Sequence, residues 1–204
     1  MKRLFLITCL ALYAVLPGAA DPVLDAFVAK VAASSVSFDY TYKATLSVSL
    51  TGSGSATVQG RCFILKGDGL EVLCDSTTRW SLDFTAKEAL VETIASDRDY
   101  AGNPALLVSC IKDAFTEAGA SDGRFQGRSC HSVTLLPVEG VGVSLVTLHF
   151  DSKGSLLGAY IKASDGTQTE FSIKNMQFAS KRPDKDFTFD TSGLDPSWVI
   201  TDLR

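Results

Sequence analysis

Histidine is nearly missing from this chain: its 204 residues hold two, His131 and His149. Each sits in a strand-like stretch. His131 follows Cys130, but strand neighbours point to opposite faces and cannot form a Cys–His dyad. No Cys-x-x-Cys, His-Glu-x-x-His or phosphate-loop spacing occurs. Asp151-Ser152-Lys153-Gly154 and Asp165-Gly166 lack the alternating oxygen ligands of a calcium loop and read as turns. Catalysis, a metal site and a resident cofactor are therefore not expected. Basic charge is short as well, since Lys and Arg number 19 against 23 Asp and Glu, for a net charge of −4. That balance excludes a nucleic-acid binder, which needs clustered cations. A membrane-length apolar run is lacking too: Leu4 to Leu16 gives about 13 residues where roughly 20 are needed.

That short run is itself informative. Lys2-Arg3 precede it and Pro17-Gly18-Ala19-Ala20 follow it, the layout of a secretory signal peptide over residues 1–20 cleaved after Ala20. Leu6-Ile7-Thr8 lacks the small residues expected before an acylated Cys9. A soluble exported protein is expected, located in the periplasm. Its mature part, residues 21–204, has about 184 residues, enough for one domain with a real core. Losing Lys2 and Arg3 takes the net charge to about −6.

The mature part keeps Cys62, Cys74, Cys110 and Cys130, an even number in a compartment that can oxidise them. Cys62 to Lys66 and Leu70 to Cys74 flank Gly67-Asp68-Gly69, a hairpin loop. With Lys66 opposite Leu70, Cys62 falls opposite Cys74, within disulfide reach. The alternative is two small buried hydrophobes.

Asp21-Pro22 start a helix with Val23, Leu24, Phe27, Val28 and Val31 on one face, and Asn103-Pro104 start a second with Leu106, Leu107, Cys110, Ile111 and Phe115. Nearly all else alternates as strands: 37–50, 55–66, 70–74, 79–83, 88–94, 127–136, 143–150, 155–163, 168–179 and 187–189. Turn signals separate them at Gly52-Ser53-Gly54, Gly67-Asp68-Gly69, Glu139-Gly140-Val141-Gly142, 151–154 and 164–167. Such spacing predicts an antiparallel meander, and about ten strands must curl or close. The expected fold is mainly β with a few helices, a barrel or most of one, with the helices over its open end or concave face. The final strand, with Phe187 and Phe189 in alternation, reads as half-buried rather than as a frayed polar tail.

The strands carry more bulk than one filled interior requires: Phe63, Leu65, Leu73, Trp80, Leu82, Phe84, Leu90, Phe150, Phe171 and Phe178. Taken singly each of these reads as core; taken together they point to the sharper reading, a lined cavity for an apolar ligand of the kind found in barrel mouths.

Several segments, in order, resemble the LolA-like periplasmic carriers of outer-membrane lipoproteins, in the branch typical of Bacteroidetes. They are Gly60-Arg61-Cys62-Phe63-Ile64-Leu65-Lys66-Gly67-Asp68, Asp75-Ser76-Thr77-Thr78-Arg79-Trp80 with Ser76 at a usual glycine, Glu88-Ala89-Leu90-Val91, Asp165-Gly166-Thr167, Phe187-Thr188-Phe189-Asp190, and Pro196 with Asp202-Leu203-Arg204. The resemblance implies an unclosed antiparallel β-barrel, a half-barrel, under an α-helical lid. It implies a monomeric, non-enzymatic chaperone that shields acyl chains of lipoproteins, taken from an inner-membrane lipoprotein-releasing ABC transporter and passed to an outer-membrane acceptor. The cavity would be lined by Phe63, Leu65, Leu73, Trp80, Leu82, Leu90, Phe150 and Phe171, and the lid would carry Leu24, Phe27, Val31, Leu106, Leu107 and Phe115. Relatives that latch the lid do so with an Arg-Pro after the hairpin lysine; here Gly67-Asp68 follow Lys66. A half-barrel that binds another amphiphile, or senses lipoproteins for envelope signalling, is the alternative.

Overall fold

The computed structural model describes residues 20–94, 103–138 and 142–204. The leader up to residue 19 and residues 139–141 of one expected turn lie outside the described residues. Helix α1 (Pro22–Ala33) starts as its sequence dictates. Asp21 accepts hydrogen bonds from the Val23 and Leu24 N–H groups at 3.0 Å, Pro22 opens the first turn, and Leu24, Phe27 and Val31 form the buried face. The second expected helix is two short pieces, α2 (Pro104–Ser109) and α3 (Ile111–Ala114). Phe115 is not on it but opens a strand.

Twelve strands follow in chain order: β1 (Ser35–Thr45), β2 (Ser49–Gln59), β3 (Cys62–Gly67), β4 (Leu70–Asp75), β5 (Thr78–Asp83), β6 (Glu88–Thr93), β7 (Phe115–Phe125), β8 (Arg128–Pro137), β9 (Val143–Phe150), β10 (Leu156–Ala163), β11 (Gln168–Ala179) and β12 (Val199–Asp202). They form one sheet in the order β12-β6-β5-β4-β3-β2-β1-β11-β10-β9-β8-β7. Neighbours run antiparallel, except β12, which adds to β6 in parallel. Because β7 and β12 are at opposite ends and do not pair, the sheet is an unclosed half-barrel, mainly β, with helices on one face.

Its turns depart from the expected ones in three places. Gly52 and Gly54 lie inside β2, and the chain reverses instead at Leu46–Val48 and at Gly60-Arg61. A Cβ on Gly52 would come within 2.6 Å of the Tyr42 ring, and one on Gly54 within 2.7 Å of the Tyr40 hydroxyl. These glycines make room for tyrosine rings rather than for a bend. The β3–β4 hairpin turns on two residues, Asp68 (φ 52°) and Gly69 (φ 80°), which leaves Gly67 opposite Leu70.

That one-residue shift corrects the cysteine pairing. Cys62 pairs with Asp75, and Phe63 with Cys74, so the two thiols lie on opposite faces. Cys62, Cys110 and Cys130 are free thiols, and Cys74 is buried on the face opposite to Cys62. Peptide mapping of the unfolded, alkylated mature chain without reductant is expected to find no Cys62–Cys74 linkage; a reducible Cys62–Cys74 crosslink would contradict this register.

The closing segment also differs from its expected form. Phe187 ends a 3-10 turn (Asp184–Phe187) instead of sitting in a strand, yet it is fully buried. Beyond it, Phe189, Leu194 and Trp198 cover Leu73, Trp80, Leu82, Ala89 and Val91. The face of β4 to β6 away from the helices is thus covered by the tail.

Candidate functional site

Strand β1 alternates Val36, Phe38, Tyr40, Tyr42 and Ala44 toward the helix-bearing face, with exposed Asp39, Thr41, Lys43 and Thr45 between them. Its first two members are buried under the helices in the main core. The last three run past them into a cavity of about 470 Å³. Tyr40, Tyr42 and Ala44 of β1, Leu65 of β3, Val72 of β4, and Thr169 and Phe171 of β11 line it. These strands span five neighbours of the sheet, which would cover about 19 Å if flat at the usual strand spacing. One cavity touching all of them shows that this face is concave.

Its walls are aromatic and aliphatic. Phe171, nearly buried, stands edge-on to Tyr40 and tilted to Tyr42, each with ring centroids 6.1 Å apart. Burial pushes the Tyr40 hydroxyl above its usual range, with Tyr42 and Asp68 adding to it, so it stays neutral and can only hydrogen-bond. Asp68 is the one charged side chain among the described residues that line the cavity. Leu50 and Leu70, both largely exposed at hairpin tips, mark its mouth.

The structure divides the expected wall residues into three groups. Leu65 and Phe171 line the cavity. Phe63 and Phe150 share its face but are buried in the core, Phe150 against Phe27 of α1 with ring centroids 5.4 Å apart. Leu90 points the same way from β6, over a separate hollow shared with Ser81 and Val199. Leu73, Trp80 and Leu82 face the other side, under the C-terminal segment. Their placement in the wall is corrected: Leu73 pairs with Trp80 and Ile64, one residue out of phase with Val72 and Leu65. Phe84 is half exposed against Trp198, and Phe178 packs on Phe27. Tyr40, Tyr42, Ala44, Val72 and Thr169 were missed, although the alternation from Val36 to Ala44 was there to be read.

Of the lid residues, Leu24, Phe27, Val31, Leu106 and Leu107 are buried in the core. The helices therefore plug one end of the half-barrel, and the cavity opens at the other. No arginine follows Lys66 to hold them, but a polar clamp does. Asp21 contacts His131 Nε2 at 2.7 Å, and His131 Nδ1 contacts Asp122 at 2.9 Å. The Asp21 N–H donates to Glu117 at 2.6 Å, and Lys112 joins Glu117 to Asp25 of α1, both at 2.7 Å.

This clamp is expected to be pH-dependent. The Asp122 and Asp21 carboxylates hold His131 above the ordinary imidazole value. Burial pulls Asp21 up, but its hydrogen bonds from His131 and the helix N–H groups outweigh that and hold it below the carboxylate range. A raised histidine contributes fully below its ordinary value of 6.5 and fades as pH rises through its raised one. The lowered aspartate contributes until pH falls through its own value. The melting-temperature gap between wild type and His131→Gln is therefore expected to be widest below the ordinary histidine value of 6.5 and to narrow as pH rises through the raised one; a gap that does not narrow with rising pH would contradict it.

His149 lies on the opposite face. It stacks on Phe125 (centroids 4.4 Å apart), contacts the Ser132 hydroxyl at 2.9 Å and Cys130 Sγ at 3.9 Å, and is held below its ordinary value by burial. Cys130 is buried among Phe125 and Leu157. A Gly-x-Ser-x-Gly spacing does occur at Gly119-Ala120-Ser121-Asp122-Gly123, but inside β7 rather than at a strand-to-helix turn. Among the described residues no group of three or more metal-ligating side chains gathers, and no helix is long and apolar enough to cross a membrane.

No family model and no curated protein matches the chain. Solved structures do. An uncharacterized conserved protein from Thermus thermophilus superposes with a TM-score of 0.52 at 8% identity, over 88% of this chain and 96% of its own. A DUF1329 family protein from Desulfovibrio piger gives 0.48 at 13% identity, over 86% and 100%. A LolA superfamily protein from Nitrosomonas europaea gives 0.43 at 10% identity, over 81% and 97%. At these identities the likeness is one of fold.

Proposed function

We propose that this chain is a non-enzymatic, exported carrier that shields acyl chains in the cavity between β4 and β11 on their way between membranes. The observation that carries this reading is the cavity itself: a concave, aromatic and aliphatic hollow with a single charged lining residue. Each methylene left in water costs about 0.8 kcal/mol, so an acylated molecule cannot cross an aqueous compartment unshielded. Acylated lipoproteins, received from an inner-membrane transporter and handed to the outer membrane, are the cargo that the sequence resemblance supplies. The periplasm is the matching location. Cleavage after Ala20 agrees with the clamp, because it would place the new α-ammonium of Asp21 where the backbone N–H now meets Glu117 at 2.6 Å.

The test is binding by the mature chain. A palmitoylated lipopeptide is expected to bind saturably and its unacylated form not to bind. Equal binding of the two, or none of either, would overturn the reading. The size of the cavity favours a second possibility, a half-barrel serving an amphiphile smaller than a lipoprotein.

A further inference from the structure

We infer that the cavity takes one acyl chain, and that its cargo is a single-chain amphiphile with an uncharged or cationic head group. This rests on the reading of the cavity as an acyl-chain site. Its volume sets the number of chains. At about 470 Å³ it lies in the lower half of the range of sites that hold a single ligand. Pockets of about 300–1,000 Å³ ordinarily bury one small ligand.

The hollow has no room to grow toward the helices. Beyond its inner end the concave face is occupied by Leu24 and Phe27 of α1 and Leu107 of α2, all at most 4% exposed, packed with Phe63 and Phe150. Making space for more chains would lift α1 off this core and break the Asp21–His131 contact.

The mouth sets the head group. Asp68 stands there, close to the Tyr42 ring across Gly52. The nearest cation along the strand, Lys66, is drawn to Glu71 at 2.7 Å and does not line the cavity. A carboxylate or phosphate monoester head would face Asp68 with no cation among the described lining residues to offset it, whereas Tyr40, Tyr42, Thr167 and Thr169 offer hydroxyls to a neutral head.

The experiment titrates the mature chain calorimetrically with dodecyl maltoside, dodecyltrimethylammonium and dodecanoate, each below its micellar concentration. It adds one peptide carrying either one or three palmitoyl chains. Dodecyl maltoside and dodecyltrimethylammonium are expected to bind one to one, about tenfold or more tighter than dodecanoate, a difference of about 1.4 kcal/mol. The one-chain and three-chain peptides are expected to bind alike, since the extra chains stay in water. Asp68→Asn should abolish the discrimination against dodecanoate, and Leu50→Trp, at the exposed mouth, should weaken all probes without lowering the melting temperature. Tighter binding of the three-chain peptide, or equal binding of dodecanoate by wild type, overturns this inference and leaves the carrier reading standing. Binding of no probe at all overturns the carrier reading itself.

Discussion

A chain ended after Lys185 is expected to lose its cooperative thermal transition. The deletion removes Phe187, which is fully buried, and with it Phe189, Leu194 and Trp198, which cover the far face of β4 to β6. Leu73, Trp80, Leu82, Ala89 and Val91, all now buried, would then face water. The deletion also strips the backbone partners of β6, where the Val199 N–H donates to Lys87 at 2.9 Å and the Leu203 N–H to Val91 at 2.8 Å. Large aromatic truncations in a core cost about 3–5 kcal/mol each, and a domain's whole stability is about 5–15 kcal/mol. A thermal melt that leaves the transition within a few degrees of wild type would show instead that the segment is an accessory arm.

The architecture was legible because most strands here bury one face, and hairpins with clear turn residues leave period-two alternation intact in the sequence. β9, β10 and β11 were read almost to the residue for this reason. Errors arose where a residue had a second use. Glycine permits a turn, but at Gly52 and Gly54 it permits tyrosine rings to lie across a strand, and the two uses look alike in sequence. Strand β7 escaped notice because, as an edge strand, it exposes nearly all of Glu117 to Arg124 and shows no alternation. Phe187-Thr188-Phe189 alternates as a strand would, yet a 3-10 turn followed by extended chain puts the same two rings against the sheet.

The site was harder to read than the fold. Alternation says which residues share a face and is silent on which face is the concave one. Along β3 and β4 both faces carry apolar residues, with Phe63, Leu65 and Val72 on one and Ile64 and Leu73 on the other. Only the placement of the last eighteen or so residues decides between them, and that is a tertiary fact.

Leu82→Asp and Leu65→Asp are therefore expected to fail in opposite ways, although they come from neighbouring hairpin strands. Leu82 is fully buried beneath the C-terminal segment. An aspartate there loses about 2–5 kcal/mol of packing and buries a carboxylate directly across from Glu71, a further cost of several kcal/mol. Together these approach the whole stability of a domain, so the variant should be insoluble or unfolded at room temperature. Leu65 is half buried on a wall of the hollow, where water reaches it until a ligand enters. Its aspartate stays hydrated in the free protein, and the melting temperature should fall by only a few degrees. An entering acyl chain must strip that water away, which should weaken palmitoyl-peptide binding by about tenfold or more. Circular dichroism melts and peptide titrations on both variants separate the two outcomes. A Leu82→Asp protein that melts like wild type but no longer binds would mean that the cavity lies on the other face.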